Sequence, residues 1–360
     1  MGEHLSGRLQ RALLVVALVV GAAVVAASPL TAAERNSYTV TPLVSDQPGV
    51  AANTDSNLVN AWGLTSGPAT PWWVSDNGTN KSTLYRGSDG APQGGPPPLV
   101  VAVAGGPTGA VFNPTATAFV LPTGGRAVFI FDSEDGKVRA WNGAQGTTAI
   151  VVADRSGVDA IYKGLAIADT PAGSRLYAAD FHNARVDVFD GSFGLVPGGF
   201  VDPSLPSGYA PFGIQTIGDR VFVTYAKQDA DAEDEIAGQS LGFVDVFSTA
   251  GDLLGRVAQH GQLNAPWGLA LAPSSFGRFA GDLLVGNFGD GQINAYEELP
   301  NGHFAHRGEL RSAGGGSVSI DGLWALQFGK AGNNGPAGTL FFTAGPDEET
   351  HGLFGSITPG

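Results

Sequence analysis

The stretch Asn60–Leu64 (NAWGL) and its second copy at Asn264–Leu269 (NAPWGL) decide the fold of this 360-residue chain. Each copy leads into a similar apolar segment, Trp72–Tyr85 after the first and Asp282–Tyr296 after the second. A unit that recurs with its features in the same order predicts a repeat architecture, because each copy is one supersecondary unit that packs on its neighbours.

Weaker copies of the unit fill the chain at a period of about 50 residues, which is typical of propellers and solenoids. One copy, Ala116–Trp141, is interpreted as having no glycine anchor. Each copy consists of short Val, Phe, Ile and Leu runs bounded by Gly, Asp, Asn and Pro, which indicates strands. The sequence therefore predicts an all-β, six-bladed β-propeller. The anchor glycines of the other five copies are Gly63, Gly164, Gly213, Gly268 and Gly322.

The start of the chain predicts how the ring closes. The last copy supplies only three strands, and an additional strand, Tyr38–Val44, precedes the first copy. We expect this strand to pair with the last blade. A linear β-solenoid is the alternative, but its terminal repeats should be polar caps, and the last copy is as apolar as the others.

Residues 1–33 have the pattern of a secretory signal peptide. Arg8 and Arg11 give a basic start, Ala12–Ala27 is uncharged and apolar, and small residues at Thr31–Ala33 suit cleavage. An uncleaved membrane anchor is the alternative. We expect residues 34–360 to be one propeller domain, secreted and without stable membrane insertion after cleavage.

Composition excludes several classes of function. The net charge of −14 argues against binding to nucleic acid, which requires clustered Lys and Arg. The absence of cysteine excludes disulfides, a thiol nucleophile and thiolate metal sites. We expect a monomer whose stability comes from its apolar core.

Polar tips between the second and third strands of each copy, together with the segments that enter the first strand, should gather on one face around the axis. Asp, Asn and Gly at such tips are also what tight turns require, so turn formation is the competing interpretation. The candidate binding residues on this face are Asn60, Asp76, Asp180, His182, Asn264, Asn287, Asp290, Asp321 and His351. Asn60, Asn264 and Asp321 are also candidate oxygen ligands for Ca²⁺.

Other motifs carry less chemistry. Asp229–Glu235 resembles half of an EF-hand loop, but Asp234 replaces the required glycine, so a solvated charged loop is expected. Gly238–Gly242 matches Gly-x-Ser-x-Gly but leads into a strand instead of a helix, so it is not interpreted as a nucleophile elbow. Strand alternation predicts that either Trp72 or Trp73 faces outward.

Several segments resemble an uncharacterised bacterial family of exported, NHL-repeat-like six-bladed propellers. Some members of that family end in a Pro-Glu-Pro-type sorting tail, which this sequence does not contain. The resemblance implies a fold and an export route, and no activity. The segments that carry it are Gly242–Phe247, Leu263–Phe279, Asp282–Tyr296, Asp321–Gly329 and His351–Pro359.

Two functions remain open at this stage. The first is a binding or scaffold module that uses the loop face for a protein, a glycan or a small molecule. The second is a Ca²⁺-dependent hydrolase of lactones or esters with its metal at the axial channel. Related propellers include enzymes of that kind, but a shared fold does not establish a shared function.

Overall fold

A computed structural model describes residues 35–360, so the predicted signal peptide lies outside the described residues. Short strands with tight turns make up most of the chain. In chain order they are β1 (Tyr38–Ser45), β2 (Asn53–Thr54), β3 (Ala61–Thr65), β4 (Trp72–Asp76), β5 (Lys81–Tyr85), β6 (Val100–Ala102), β7 (Pro107–Phe112), β8 (Phe129–Ser133), β9 (Lys137–Trp141), β10 (Ile150–Asp154), β11 (Tyr162–Thr170), β12 (Gly173–Asp180), β13 (Arg185–Asp190), β14 (Leu195–Val196), β15 (Tyr209–Ile217), β16 (Arg220–Gln228), β17 (Glu235–Ile236), β18 (Phe243–Ser248), β19 (Leu253–Gln259), β20 (Pro266–Leu271), β21 (Leu283–Asn287), β22 (Ile293–Glu298), β23 (Phe304–Glu309), β24 (Leu323–Phe328), β25 (Leu340–Ala344) and β26 (Leu353–Pro359). Single turns of 3-10 helix occur at Asn77–Thr79, Gly143–Gln145, Ser156–Val158 and Gly277–Phe279.

The strands form six sheets, antiparallel apart from the short parallel β1–β2 pair, arranged as the blades of a propeller, which confirms the predicted fold class. Blade one contains β3–β6, blade two β7–β10, blade three β11–β14, blade four β15–β19, and blade five β20–β23. Blade six contains β24–β26 together with β1 and β2. The innermost strands β3, β7, β11, β15, β20 and β24 surround the axis, and each contacts the innermost strand of the next blade.

The ring closes as the sequence predicts. Strand β1 pairs antiparallel with β26, with Tyr38 opposite Pro359 and Val40 opposite Ile357. The buried ring of Tyr38 lies 5.0 Å from that of Phe276, and its hydroxyl donates a 3.1 Å hydrogen bond to the Phe276 carbonyl. The first strand of the described chain therefore completes the last blade.

Each innermost strand has a bulge where the repeat has its anchor. A Cβ at Gly213 would clash with the carbonyl oxygen of Trp267 on the next blade, so glycine permits the close approach of the two backbones. The structure corrects two positions of the sequence analysis. Blade two does have an anchor, Gly109 on β7, upstream of the copy that we started at Ala116. In blade six the equivalent residue is Ala325, and Gly322 lies in the preceding turn.

Both tryptophans of β4 are buried, which contradicts the prediction that one faces outward. Trp72 is 0% exposed and Trp73 is 3% exposed. The two rings do point to opposite faces, because Trp72 packs on Phe341 of blade six and Trp73 stacks on Phe129 of blade two. Successive side chains of β4 therefore do point to opposite faces of the sheet. Both faces are covered by neighbouring blades, so neither tryptophan reaches solvent.

Because the strands alternate in direction, the tips between second and third strands lie on one face, here called the loop face, with the segments that enter the innermost strands. The turns between first and second strands lie on the opposite face, here called the base. No helix within residues 35–360 has the length and apolar character needed to cross a membrane.

Candidate functional site

An aromatic plug closes the axial channel below the loop face. Trp62 and Trp324 stack with ring centroids 3.7 Å apart, and Phe288 stacks on the other side of Trp324 at 4.1 Å. The repeat explains this layer, because one equivalent residue of each innermost strand, directly before the anchor, points to the axis. These six residues are Trp62, Thr108, Lys163, Phe212, Trp267 and Trp324.

Lys163 is the single charged member of this layer. Its side chain is 2% exposed, and its Nζ lies 5.3 Å from the centre of the Trp62 ring. The ammonium donates to Glu134 Oε1 at 2.6 Å and to Asp234 Oδ1 at 2.9 Å. Burial opposes the charge, but nearby carboxylates, led by Glu134, raise the pKa of Lys163 above its ordinary value. The lysine is therefore protonated and held in an ion-pair network.

Two further carboxylates surround this network. Burial raises the pKa of Glu235 to about 8, and Glu349 and Asp234 add to the effect while Lys163 opposes it. Burial also raises the pKa of Glu349, partly offset by its hydrogen bond from Asn60. The channel mouth thus contains four carboxyl groups around one ammonium, and at least one of them holds a proton near neutral pH.

Asn60 links the aromatic plug to the acidic mouth. Its Oδ1 accepts a 2.9 Å hydrogen bond from Trp324 Nε1, and its Nδ2 donates to Glu349 Oε2 at 2.5 Å. Asn77 continues the network by donating to the second oxygen of Glu134 at 2.8 Å. The tip that carries Glu349 has three successive non-glycine residues with positive φ, Asp347–Glu349. Such strained backbone persists where surrounding contacts impose it, and it is frequent at functional sites.

An open cleft of about 340 Å³ adjoins Glu134 on the loop face. His182 lies at the cleft half-exposed, and its Nδ1 is buried without a hydrogen-bond partner among the described residues. The cleft is a concave, acidic extension of the channel mouth. Its lining residues are Glu134, Asp135, Ser156, Asp159, Ala160, Ile161, His182 and Glu233.

Of the nine predicted site residues, Asn60 and His182 contribute to the mouth or the cleft. Four others are engaged in their own hairpins. Asp76 is fully buried and accepts from Thr83, and burial raises its pKa. Asp180 caps its turn by accepting from the Asn183 amide. Asn287 and Asp290 bond to each other across their turn at 3.1 Å.

The remaining three are also committed to loop structure. Asn264 Oδ1 accepts from the Gly238 backbone at 2.6 Å, Asp321 Oδ2 accepts from the Asp347 backbone at 2.9 Å, and His351 Nδ1 lies 2.8 Å from Asp46 Oδ2. The three candidate calcium ligands, Asn60, Asn264 and Asp321, therefore each accept a different hydrogen bond. Within residues 35–360 no group of three or more His, Asp or Glu side chains is arranged to hold a metal. The calcium hypothesis stays a prediction.

Sequence reasoning missed Lys163, Glu134, Glu235 and Glu349. One signal could have found the first, because Lys163 occupies a position where most other copies have Trp or Phe. The acidic insertion Asp229–Glu235 was expected to be a solvated loop, and only part of it is. Asp234 pairs with Lys163 although its own side chain is 72% exposed, and Glu235 is half-buried.

Comparisons with known sequences place the chain beside viral proteins. It is 32% identical over 335 residues to the uncharacterized protein R648 of Acanthamoeba polyphaga mimivirus, a match that covers 89% of this chain and 80% of R648. It is 30% identical over 343 residues to the uncharacterized protein L690 of the same virus, covering 89% and 86%. No family model matches the chain. These relatives are viral proteins, whereas the family that the sequence resembles was expected to be bacterial.

Solved structures share the fold at low identity. A protein of unknown function from Bacteroides thetaiotaomicron has a TM-score of 0.56 and 10% identity, covering 89% of this chain and 76% of that protein. A streptogramin B lyase has a TM-score of 0.51 and 10% identity, covering 90% and 98%. At this identity the likeness concerns the propeller fold alone.

Proposed function

The chain belongs to the family of the uncharacterised mimivirus proteins R648 and L690, and we propose that it is a binding module whose loop face takes a small cationic ligand. The ligand would lie in the cleft beside Glu134 with its positive charge directed at the channel mouth. The observation that carries this proposal is the excess of carboxyl groups around one lysine that is already paired.

Charge is the first reason. Four carboxyl groups at the mouth face a single ammonium, and the cleft adds Asp159 and Glu233 at its walls, whereas its Asp135 is already paired with Arg139. A ligand ammonium or guanidinium would reduce the mutual repulsion of these groups and would make charge-assisted hydrogen bonds. It would also lower the pKa of Glu235, so that binding releases a proton near neutral pH.

Preorganisation is the second reason. Asn60 and Asn77 hold Glu349 and Glu134 in place through hydrogen bonds, and the plug beneath them is a packed stack of aromatic rings. A charged site whose groups are fixed before binding loses little entropy when the ligand arrives. Lys163 acts in this arrangement as a fixed positive charge. Because it is protonated and fully paired, it is unsuited to nucleophilic attack.

Calorimetric titration with spermidine and with choline tests the proposal. We expect binding that weakens with added salt and an observed heat that depends on the ionisation enthalpy of the buffer at pH 7.5, because a proton is released. The double variant Glu233→Gln and Asp159→Asn should weaken binding at least tenfold. Both residues are exposed and lie at the rim, so the change should not disturb the fold.

Asp219→Asn is the matched control, because Asp219 is an exposed carboxylate in a turn on the base. Its binding heats should equal those of the unchanged protein. Absence of binding for both cationic probes, or equal weakening by the control variant, would contradict a cationic ligand at the loop face.

A hydrolase of esters or lactones is the second candidate, favoured by Glu235. A carboxylic acid with a pKa of about 8 can donate a proton to a leaving group at neutral pH, and His182 lies in the adjoining cleft. Calcium would polarise a carbonyl if it were bound. Hydrolysis of aryl ester and lactone substrates, lost in Glu235→Gln, would support this function. A melting temperature that EDTA lowers and calcium restores would support the metal.

We also propose export, on the basis of residues 1–33 alone. The basic start, the apolar run and the small residues before Glu34 suit cleavage by a signal peptidase. N-terminal sequencing of the protein recovered from a secreting host is the test. A product that begins near Glu34 supports export, whereas an intact Met1 in the membrane fraction supports the anchor.

A further inference from the structure

The base of the channel holds a second cavity that the proposed function does not use. Below the aromatic plug, the residues that follow the anchors form an apolar floor. The cavity then widens toward the base into a funnel of about 320 Å³. Phe112, Val111 and Ile167 form its apolar wall. The floor consists of Leu64, Ala110, Leu165, Ile214, Leu269 and Leu326.

The charge of the funnel is opposite to that of the loop face. Lys330 is the charged residue among the lining side chains, and none of those lining residues, all in the described part of the chain, is acidic. This composition is unusual in a chain with 33 acidic and 19 basic residues. Lys330 forms no ion pair with any carboxylate of residues 35–360, and its Nζ donates only to the Ser66 carbonyl oxygen.

Lys330 is held in place by a buried asparagine. Asn334 accepts a 2.7 Å hydrogen bond from the Lys330 backbone N–H and donates to the carbonyl oxygens of Gly67 and Thr70, at 3.0 and 3.1 Å. These bonds tie a loop of blade six to a loop of blade one. Lys330 as a whole is exposed, but the partial desolvation of its ammonium at the wall lowers its pKa, and an anionic partner would stabilise its charged form.

Several polar groups of the funnel have no protein partner. The hydroxyls of Ser66 and Thr216 are buried in its walls without a hydrogen bond among the described residues. The amides of Gln215 and Gln327 are half-buried at the floor. The two amides are therefore the polar groups of the funnel that a ligand can reach, and a few such groups in an apolar cavity are typical of a small-molecule site.

We propose that the funnel is a second binding site, for a small organic carboxylate with an apolar tail. The carboxylate would pair with Lys330 and accept hydrogen bonds from the amides of Gln215 and Gln327, and the tail would lie along Phe112 and Ile167. A cavity of this size, mostly apolar with a few convergent polar groups, is typical of small-molecule sites. Because Lys330 is positively charged, we expect the ligand to be an anion.

Calorimetry with three probes of equal chain length tests the site: octanoate, octanol and octyltrimethylammonium. Octanoate should bind at least tenfold more tightly than octanol, and the cation should not bind in the funnel. Lys330→Gln should abolish this preference while leaving octanol unchanged, and Lys330→Arg should keep it. Lys137→Gln, which removes a half-buried lysine on the loop side, is the matched control and should change nothing.

The outcome is decisive even if a variant fails to fold. Equal binding of octanoate and octanol by the unchanged protein, or no binding of either, overturns the proposal without any substitution. Octanoate affinity that survives Lys330→Gln in a variant with an unchanged melting curve overturns it as well. Gln215→Leu should weaken octanoate severalfold and should not affect spermidine, so a failure here is distinguishable from a failure at the loop face.

Discussion

Glu235 makes the free energy of unfolding depend on pH. Its folded pKa of about 8 lies above the ordinary glutamate value of 4.5, so between these values the folded chain holds a proton that the unfolded chain has released. The unfolding free energy therefore falls as pH rises from about 4.5 to 8. Glu235→Gln removes this penalty. We expect the variant to be more stable than the parent by about 2 kcal/mol at pH 8 and equally stable at pH 4.

Thermal denaturation at both pH values measures this difference. Glu233→Gln is the control, since Glu233 is two residues away and exposed, and its melting temperature should match the parent at each pH. A Glu235→Gln variant that is destabilised at pH 8 would show that Glu235 is ionised there and pairs with Lys163.

Lys163 stabilises the fold through the carboxylates that it neutralises. Lys163→Met keeps much of the apolar stem but leaves Glu134 and Glu235 without a counter-charge, so the unfolding free energy should fall by about 2–3 kcal/mol at pH 8. The loss should be smaller at pH 5, where Glu235 is protonated and needs no counter-charge. Chemical denaturation at the two pH values measures it. Lys137→Met, at a half-buried ion pair whose charges lie 3.6 Å apart, should cost less than about 0.5 kcal/mol.

At the scale of the strand, the anchors set how closely the blades approach. Gly213→Ala places a Cβ against the Trp267 carbonyl oxygen, and both groups are fixed by backbone pairing, so we expect a loss of about 3 kcal/mol or failure to fold. Gly255→Ala in β19 is the control, because a Cβ there meets nothing within 4 Å. A Gly213→Ala variant with an unchanged melting temperature would contradict the close approach.

The strands could be predicted from the sequence, but the anchor positions within them could be predicted only in part. Strand existence, blade number and the pairing of β1 follow from periodicity, because apolar runs between turn residues need no tertiary information. The anchor of blade two was missed and that of blade six was misplaced, since the true anchors Gly109 and Ala325 lie in segments that lack the Trp-Gly-Leu pattern. Their equivalence is visible only from the bulge that each strand makes against its partner.

The location of the candidate site on the loop face could be predicted from the sequence, but most of the residues that form it could not. Converging loops on one face follow from the fold, but which side chains point inward depends on the backbone of each loop. Asp234 and Glu235 lie in an insertion with no counterpart in the other blades, so no repeat could reveal that they meet Lys163. Several predicted residues instead stabilise their own turns, which was the competing interpretation. Asp180 and Asp290 are examples.

For the whole molecule, closure by β1 is the main prediction of stability. A chain that begins at Asp46 lacks β1, so β26 has no partner on its outer side. The buried side chains of Phe342 and Ile357 then lose apolar contacts. We expect the melting temperature to fall by more than about 10 °C relative to a chain that begins at Arg35. A synthetic peptide of residues 35–45 added in trans should restore part of the loss. Identical melting curves for the two chains would mean that β1 does not hold the ring.

The pairing of β1 with β26 also fixes where the two ends of the described chain emerge. Gly360 donates a 2.8 Å hydrogen bond to the Ser37 carbonyl, so both ends leave together from the outer edge of blade six, on the base side. Anything joined to either end, whether a bead, a lipid or a cell envelope, would hold the molecule by its underside. The acidic mouth would then point away from the support, free to sample the surrounding medium.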